Sequence, residues 1–270
     1  PENRLRRLQR KMLGRWQFSF IDAFCVQAKT HAERLTRLGV PCEKVAVTGI
    51  GLSPLLATTA GTDLLAHRWR TLLQISESTP VILAGSTYPQ EEEELLRAAE
   101  RLRETYPDLV LILAPRHLDR PGGGDKVLRE LGVDYEQRSM LDRHERVAHT
   151  ILLDTIGELR EIYSIATVAF VGGSLVTDIG GHTPLEALAW GVPITIGPCF
   201  GQQEAAVYLC EQAGVLTICT GEETLFHTWQ KFLESPEQRD EVRRRAVALT
   251  EHSPEAFADA HRAVLAMTRD

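Results

Sequence analysis

The chain has 270 residues, 43% of them hydrophobic and 25% charged, with a formal net charge of −7. That balance is ordinary for a globular protein of one large domain or two small ones, and it excludes a disordered, collagen-like or coiled-coil chain. The acidic total argues against nucleic acid as a partner, and no apolar run reaches the roughly 18–20 residues that span a bilayer.

Residues 1–15 carry six cations (Arg4, Arg6, Arg7, Arg10, Lys11 and Arg15) against one acid, Glu2. Such a segment can meet anionic lipid headgroups, or it is a solvated helix face. Residues 4–38 read as mostly helical, with a short strand at Phe24–Gln27 and a helix from Lys29 to Leu38. Thr30 is its expected N-cap, and Gly39 stands where a closing glycine belongs. Val45–Thr48 reads as a strand, 49–61 as a loop rich in Gly, Pro, Ser and Thr, and 63–75 as a helix.

A strict alternation begins at Pro80. Apolar strands are expected at Val81–Ala84, Leu109–Ala114, Ile151–Leu153, Val168–Val171 and Ile194–Ile196. Helices are expected at Glu91–Thr105, 125–131, Glu158–Ser164, Pro184–Trp190, 202–213, 222–234, 236–251 and 254–268. Strands that are apolar throughout and alternate with helices imply an α/β fold, a parallel sheet with helices on both faces. The acidic run Glu91–Glu94 suits a helix N-terminus and reads as a solvated face. The five cysteines are odd in number and form no CxxC pair, which fits a reducing cytoplasm and no structural zinc.

In a parallel sheet, ligands bind beyond the carboxyl ends of the strands. The residues there are small, hydroxylated or basic, as suits a phosphate-bearing ligand. Gly172-Gly173-Ser174 and Gly180-Gly181-His182-Thr183 let a backbone approach closely, and the second stretch opens a helix with Thr183 as N-cap and Glu186 at its third position. A phosphate is expected at Gly181–Thr183, helped by Ser174; the same residues also read as a plain capping box. His182 is a candidate phosphate contact or acid. Arg116 can grip a phosphate bidentately. His117 beside it either joins that grip or only packs, and Arg120 reads as a solvated loop residue. Ser86 and Thr87 either meet a sugar carboxylate or cap the following helix. Ile156, Gly157 and Glu158 either contact a base or ribose or form a tight turn. No P-loop, GxSxG elbow, HExxH or dinucleotide GxGxxG occurs, and no metal or cofactor is expected.

Taken in order, Gly85-Ser-Thr, Glu91-Glu-Glu, Pro115-Arg-His, Arg138-Ser, Asp154-Thr-Ile-Gly-Glu-Leu, Phe170-Val-Gly-Gly-Ser-Leu and Gly180-Gly-His-x-Pro-Leu-Glu form a specific set. The chain resembles the 3-deoxy-D-manno-octulosonic acid (Kdo) transferases of lipopolysaccharide synthesis from about residue 20 to 215. The resemblance implies the C-terminal, donor-binding half of a GT-B glycosyltransferase with a Rossmann-like sheet and a helical lead-in. It implies residues 1–48 as a remnant of the acceptor domain, 49–253 as the donor-binding domain and 254–270 as a C-terminal helix. CMP-Kdo would be the donor, a lipid A precursor the acceptor, and the inner face of the bacterial inner membrane the place of work, by peripheral contact. An acceptor hydroxyl would displace CMP with inversion, using a carboxylate base in a half that precedes Pro1. Arg116 and the Gly181–Glu186 helix start would hold CMP, with Ser86 and Thr87 near the sugar. The chain departs from the family's pattern at Leu52, where a lysine is usual, at Tyr88 for a histidine and at Thr183 for an asparagine. Gln202-Gln203 also replaces the usual Asn-Phe. The same fold serves a non-catalytic binding module, or a nucleotide-sugar epimerase, as alternatives.

Overall fold

A computed structural model describes residues 16–50, 62–251 and 254–267. Arg4–Arg15 and Leu52 lie outside the described residues. The chain divides into two compact units, Pro1–Ser53 with Thr250–Asp270, and Pro54–Leu249. In the first unit, β1 (Phe24–Val26), α1 (Lys29–Arg37) and β2 (Val45–Val47) follow one another, and the two strands pair in parallel. Ala28, not Thr30, is the N-cap of α1. Gly39 has φ +98° just past its end, a conformation that favours glycine.

The second unit begins with α2 (Thr62–Leu72), β3 (Val81–Thr87), α3 (Pro89–Arg103) and β4 (Val110–Pro115). It continues through α4 (Lys126–Leu131), β5 (Glu136–Gln137), β6 (Thr150–Leu152), α5 (Leu159–Ile162) and β7 (Val168–Val171). Then come α6 (Leu185–Leu188), β8 (Ile194–Ile196), α7 (Glu204–Gln212), β9 (Leu216–Ile218), α8 (Glu222–Glu234) and α9 (Pro236–Glu251). The seven strands form one parallel sheet in the order β5-β6-β4-β3-β7-β8-β9. Val81 to Ala84 are wholly buried, as are Val110 to Ile112 and Val168 to Phe170. Strands covered on both faces need an unbroken apolar run, which explains why those segments lack polar alternation. The α/β expectation holds, and β5 and β9 are edge strands that the sequence reading passed over.

Three local expectations change. Strand β3 runs three residues further, to Thr87, because a bulge between Gly85 and Thr87 puts Ser86 out of register at φ +59°. The helix expected at Pro184–Trp190 shortens to Leu185–Leu188. The acids at the start of α3 are not a solvated face. Glu91 and Glu92 are buried, and so is the Arg120 side chain, which pairs with Glu92 at 2.7 Å with only 8% and 2% of the two side chains exposed. Arg120 is thus a buried strut between the 116–124 loop and α3, not a solvated residue.

A buried pair is costly to break, because the abandoned charge keeps its desolvation cost. Arg120→Ala is expected to lower stability by about 3–5 kcal/mol in urea unfolding. Arg97→Ala, which removes an exposed pair with Glu93 on the same helix, is expected to cost under about 1 kcal/mol.

Candidate functional site

The sheet changes direction at β3. Strands β4, β6 and β5 extend to one side and β7, β8 and β9 to the other, so a crevice is forced open beyond the carboxyl ends of β3 and β7. Gly172, at the end of β7, donates its N–H to Gly85 O at 2.8 Å. A Cβ on Gly172 would collide with Ser86 O. Only glycine lets the two strand ends come this close.

A cleft of about 690 Å³ opens at this edge, walled by Ser86, Arg116, Thr155, Ile156, Gly157 and Glu186 among others. Arg116 and Arg160 both face it, and both side chains are without an ion pair among the described residues. A second cleft of about 460 Å³ lies at the amino ends of β3, β7 and β8. There Arg70 donates to Thr79 O and Arg239 to Leu233 O, so two of its arginines are spent on backbone carbonyls.

The anticipated residues separate into two groups. Arg116 is exposed, and its N–H bonds Thr87 O at 3.0 Å, which fixes where the guanidinium starts. Ser86 is half-buried and lines the cleft on its strained bulge. Ile156 is 95% exposed at the rim, on a turn where Gly157 has φ +90°. His182 stacks on Tyr88, with ring centroids 5.9 Å apart and planes 12° apart, and His117 meets the same tyrosine edge-on at 5.8 Å. His182 Nε2 is buried with no hydrogen-bond partner among the described residues. Burial, then the charges of Arg116 and His117, hold this imidazole below its ordinary 6.5.

The second group is engaged in hydrogen bonds inside the fold, apart from Glu186, which lines the cleft. Thr87 is buried and donates to Glu92 Oε1 at 2.8 Å. Ser174 is fully buried; its hydroxyl donates to Val171 O and accepts from Gly197 N–H. Gly173 N–H bonds Glu91. Gly181 and His182 give their N–H groups to Gly173 O and Gly172 O. Thr183 Oγ1 accepts from Leu185 N–H at 3.3 Å, and Glu186 is exposed in the cleft wall, so no capping box forms. The Gly181–Thr183 stretch therefore offers a phosphate a folded support and the His182 ring, not the row of free N–H groups anticipated. Glu158 accepts from Thr155 Oγ1 and from Arg138 at 3.2 Å, which makes it a brace of the 154–158 turn. Asp154 completes that brace by accepting from Ser139 N–H and Oγ.

Three participants were not assigned to the site from the sequence, although Glu91 lies in a motif of the resemblance and Tyr88 at a departure from it. Arg160 follows the recognised turn directly and could have been found there. Tyr88 and Glu91 had one local signal, their three-residue spacing, which places the Glu91 carboxylate on the Tyr88 N–H at 3.0 Å.

No family model matches the chain. A 3-deoxy-D-manno-octulosonic acid transferase of Chlamydophila psittaci is 32% identical over 234 residues, which is 85% of this chain and 51% of that protein. The enzyme of the same description from Haemophilus influenzae is 32% identical over 229 residues, 83% of this chain and 52% of its own length. The C-terminal CMP-Kdo binding domain of WaaA from Acinetobacter baumannii superimposes with a TM-score of 0.62 at 27% identity, covering 71% of this chain and 96% of that domain. The chain resembles the C-terminal half of a Kdo transferase. It spans about half the length of the curated Kdo transferases it matches. The fold is the parallel sheet of a GT-B glycosyltransferase domain, and the motifs that carry the resemblance border the crevice or brace its turns.

The depressed pKa of His182 gives a pH signature. The fold binds fewer protons at this ring than the unfolded chain does, so its contribution to stability is complete above about pH 6.5 and is lost as pH falls below it. The His182 ring is expected to titrate below 6.5 by NMR. In His182→Gln, the loss of stability between pH 7.5 and 5.5 is expected to be smaller than in the unaltered chain.

Proposed function

We propose that this chain is the donor-binding half of a glycosyltransferase that moves Kdo from CMP-Kdo to a lipid A precursor. The observation that carries the reading is the cleft at the switch point. There Arg116 and Arg160, which have no ion pair among the described residues, line one cleft with small residues, and the buried His182 ring lies close enough to Arg116 to feel its charge. The similarity to Kdo transferases and to a CMP-Kdo binding domain supports it. Residues 49–253 would form the donor-binding domain, with 1–48 and 254–270 belonging to the rest of the enzyme.

In this reading the phosphate of CMP lies against Arg116, and the base lies over the Thr155–Gly157 turn. An acceptor hydroxyl attacks the anomeric carbon from the far side, and the bond to CMP breaks with inversion. Negative charge grows on the departing phosphate, where a guanidinium carried on a backbone tied to β3 stabilises it. Arg116 is well suited, since its backbone is tied to β3 while its side chain is uncommitted. The carboxylate that takes the acceptor proton would come from outside this chain.

CMP at millimolar concentration is expected to raise the thermal midpoint of the chain, and Arg116→Ala to weaken CMP binding by about tenfold or more. No shift with CMP would sink the proposal. A stronger response to a uridine nucleotide would move it to another GT-B enzyme.

Peripheral membrane contact is the further part of this reading. Trp16 and Phe20 are exposed directly after the basic residues 4–15, a pairing of charge and aromatic surface that suits an anionic interface. Among the described residues no helix is long and apolar enough to cross a membrane. Binding to vesicles containing anionic lipid is expected, weakening as salt rises. Binding that ignores salt would contradict it.

A further inference from the structure

One carboxylate is tied to the backbone that carries both halves of the Tyr88–His182 stack. Glu91 is wholly buried in the first turn of α3. Its Oε1 accepts the N–H groups of Tyr88 at 3.0 Å and Gly173 at 2.6 Å. Its Oε2 accepts those of Ser174 and Leu175, each at 3.2 Å. Gly172 O and Gly173 O in turn accept from His182 at 3.1 Å and Gly181 at 2.9 Å. Tyr88 is therefore held by Glu91 directly, and His182 through the turn that Glu91 holds.

We propose that Glu91 is a positioning residue for the donor crevice, its carboxylate setting the 172–182 segment so that His182 stands on Tyr88 beside Arg116 and His117. The inference rests on the donor-binding reading above. Four N–H groups pointing at one side chain require an acceptor on both of its terminal atoms. A glutamine keeps the shape but turns an NH₂ donor toward two of those N–H groups. The neighbouring buried carboxylate, Glu92, serves a different purpose, since its partners are Arg120 and Thr87. The effect of Glu91 is therefore predicted to be local to the glycine-rich turn.

The test compares Glu91→Gln with Leu102→Ala, which opens a cavity further along the same helix and lowers stability without touching the turn. Amide exchange and CMP affinity are measured well below the unfolding midpoint. In Glu91→Gln the amides of Gly173, Leu175, Gly181 and His182 are expected to exchange at least about tenfold faster than in Leu102→Ala, and CMP affinity to fall about tenfold, the scale of lost hydrogen bonds to a charged group. Glu91→Asp keeps the charge on a shorter arm and is expected to fall between the glutamine variant and the unaltered chain. Unchanged exchange at those four amides would overturn the proposal. Equal changes in Leu102→Ala would do the same, as would failure of both Glu91 variants to fold, which would make the residue a support of the whole domain. If the unaltered chain ignores CMP, the donor reading fails, while the amide pattern still decides the role of Glu91.

Discussion

The burial of the Glu91 carboxylate among four backbone N–H groups is the interaction on which the crevice depends. Burial pushes this carboxyl above its ordinary range, and the four N–H groups pull it back toward the ionised form. The arrangement is costly in desolvation and worthwhile only if every N–H is answered, since each buried N–H left without an acceptor costs about 1–3 kcal/mol. It joins the start of α3 to the end of β7, the two places where the sheet's change of direction opens a gap. Gly172 completes the junction by having no side chain to separate the strand ends.

Around that junction, charge is divided between structure and ligand. Arg120 with Glu92, Arg138 with Glu158, and Asp154 with Ser139 are internal braces that fix the loops after β4 and β6. Arg116 and Arg160 are left facing the cleft. A crevice built this way keeps its shape when empty, so binding an anion there costs little reorganisation. The hydroxyls of Ser174 and Thr87 look like ligand groups in the sequence but belong to the braces. Their position after a strand end does not say which way the side chain turns.

Much of the sheet was legible in the sequence, because β3, β4, β7 and β8 are apolar for the simple reason that both faces are covered. The crevice was legible too, as glycine pairs and basic residues after strand ends. What escaped depends on partners far along the chain. Glu91 meets Gly173 across 82 residues and Glu92 meets Arg120 across 28. Acids opening a helix look solvated when only their local fit to the helix dipole is considered. The bulge at Ser86 is hidden for a similar reason, since a left-handed serine carries no pattern of its own. Strand β5 is two polar residues at an edge, too short for any period.

A crystal structure of the chain with CMP places the phosphate directly. It is expected within hydrogen-bond distance of the Arg116 guanidinium, in the cleft beyond β3 and β4, with the base over Thr155–Gly157. A phosphate seated instead in the cleft at the amino ends of the strands, or held by the backbone of Gly181–Thr183 with Arg116 turned away, would contradict this arrangement.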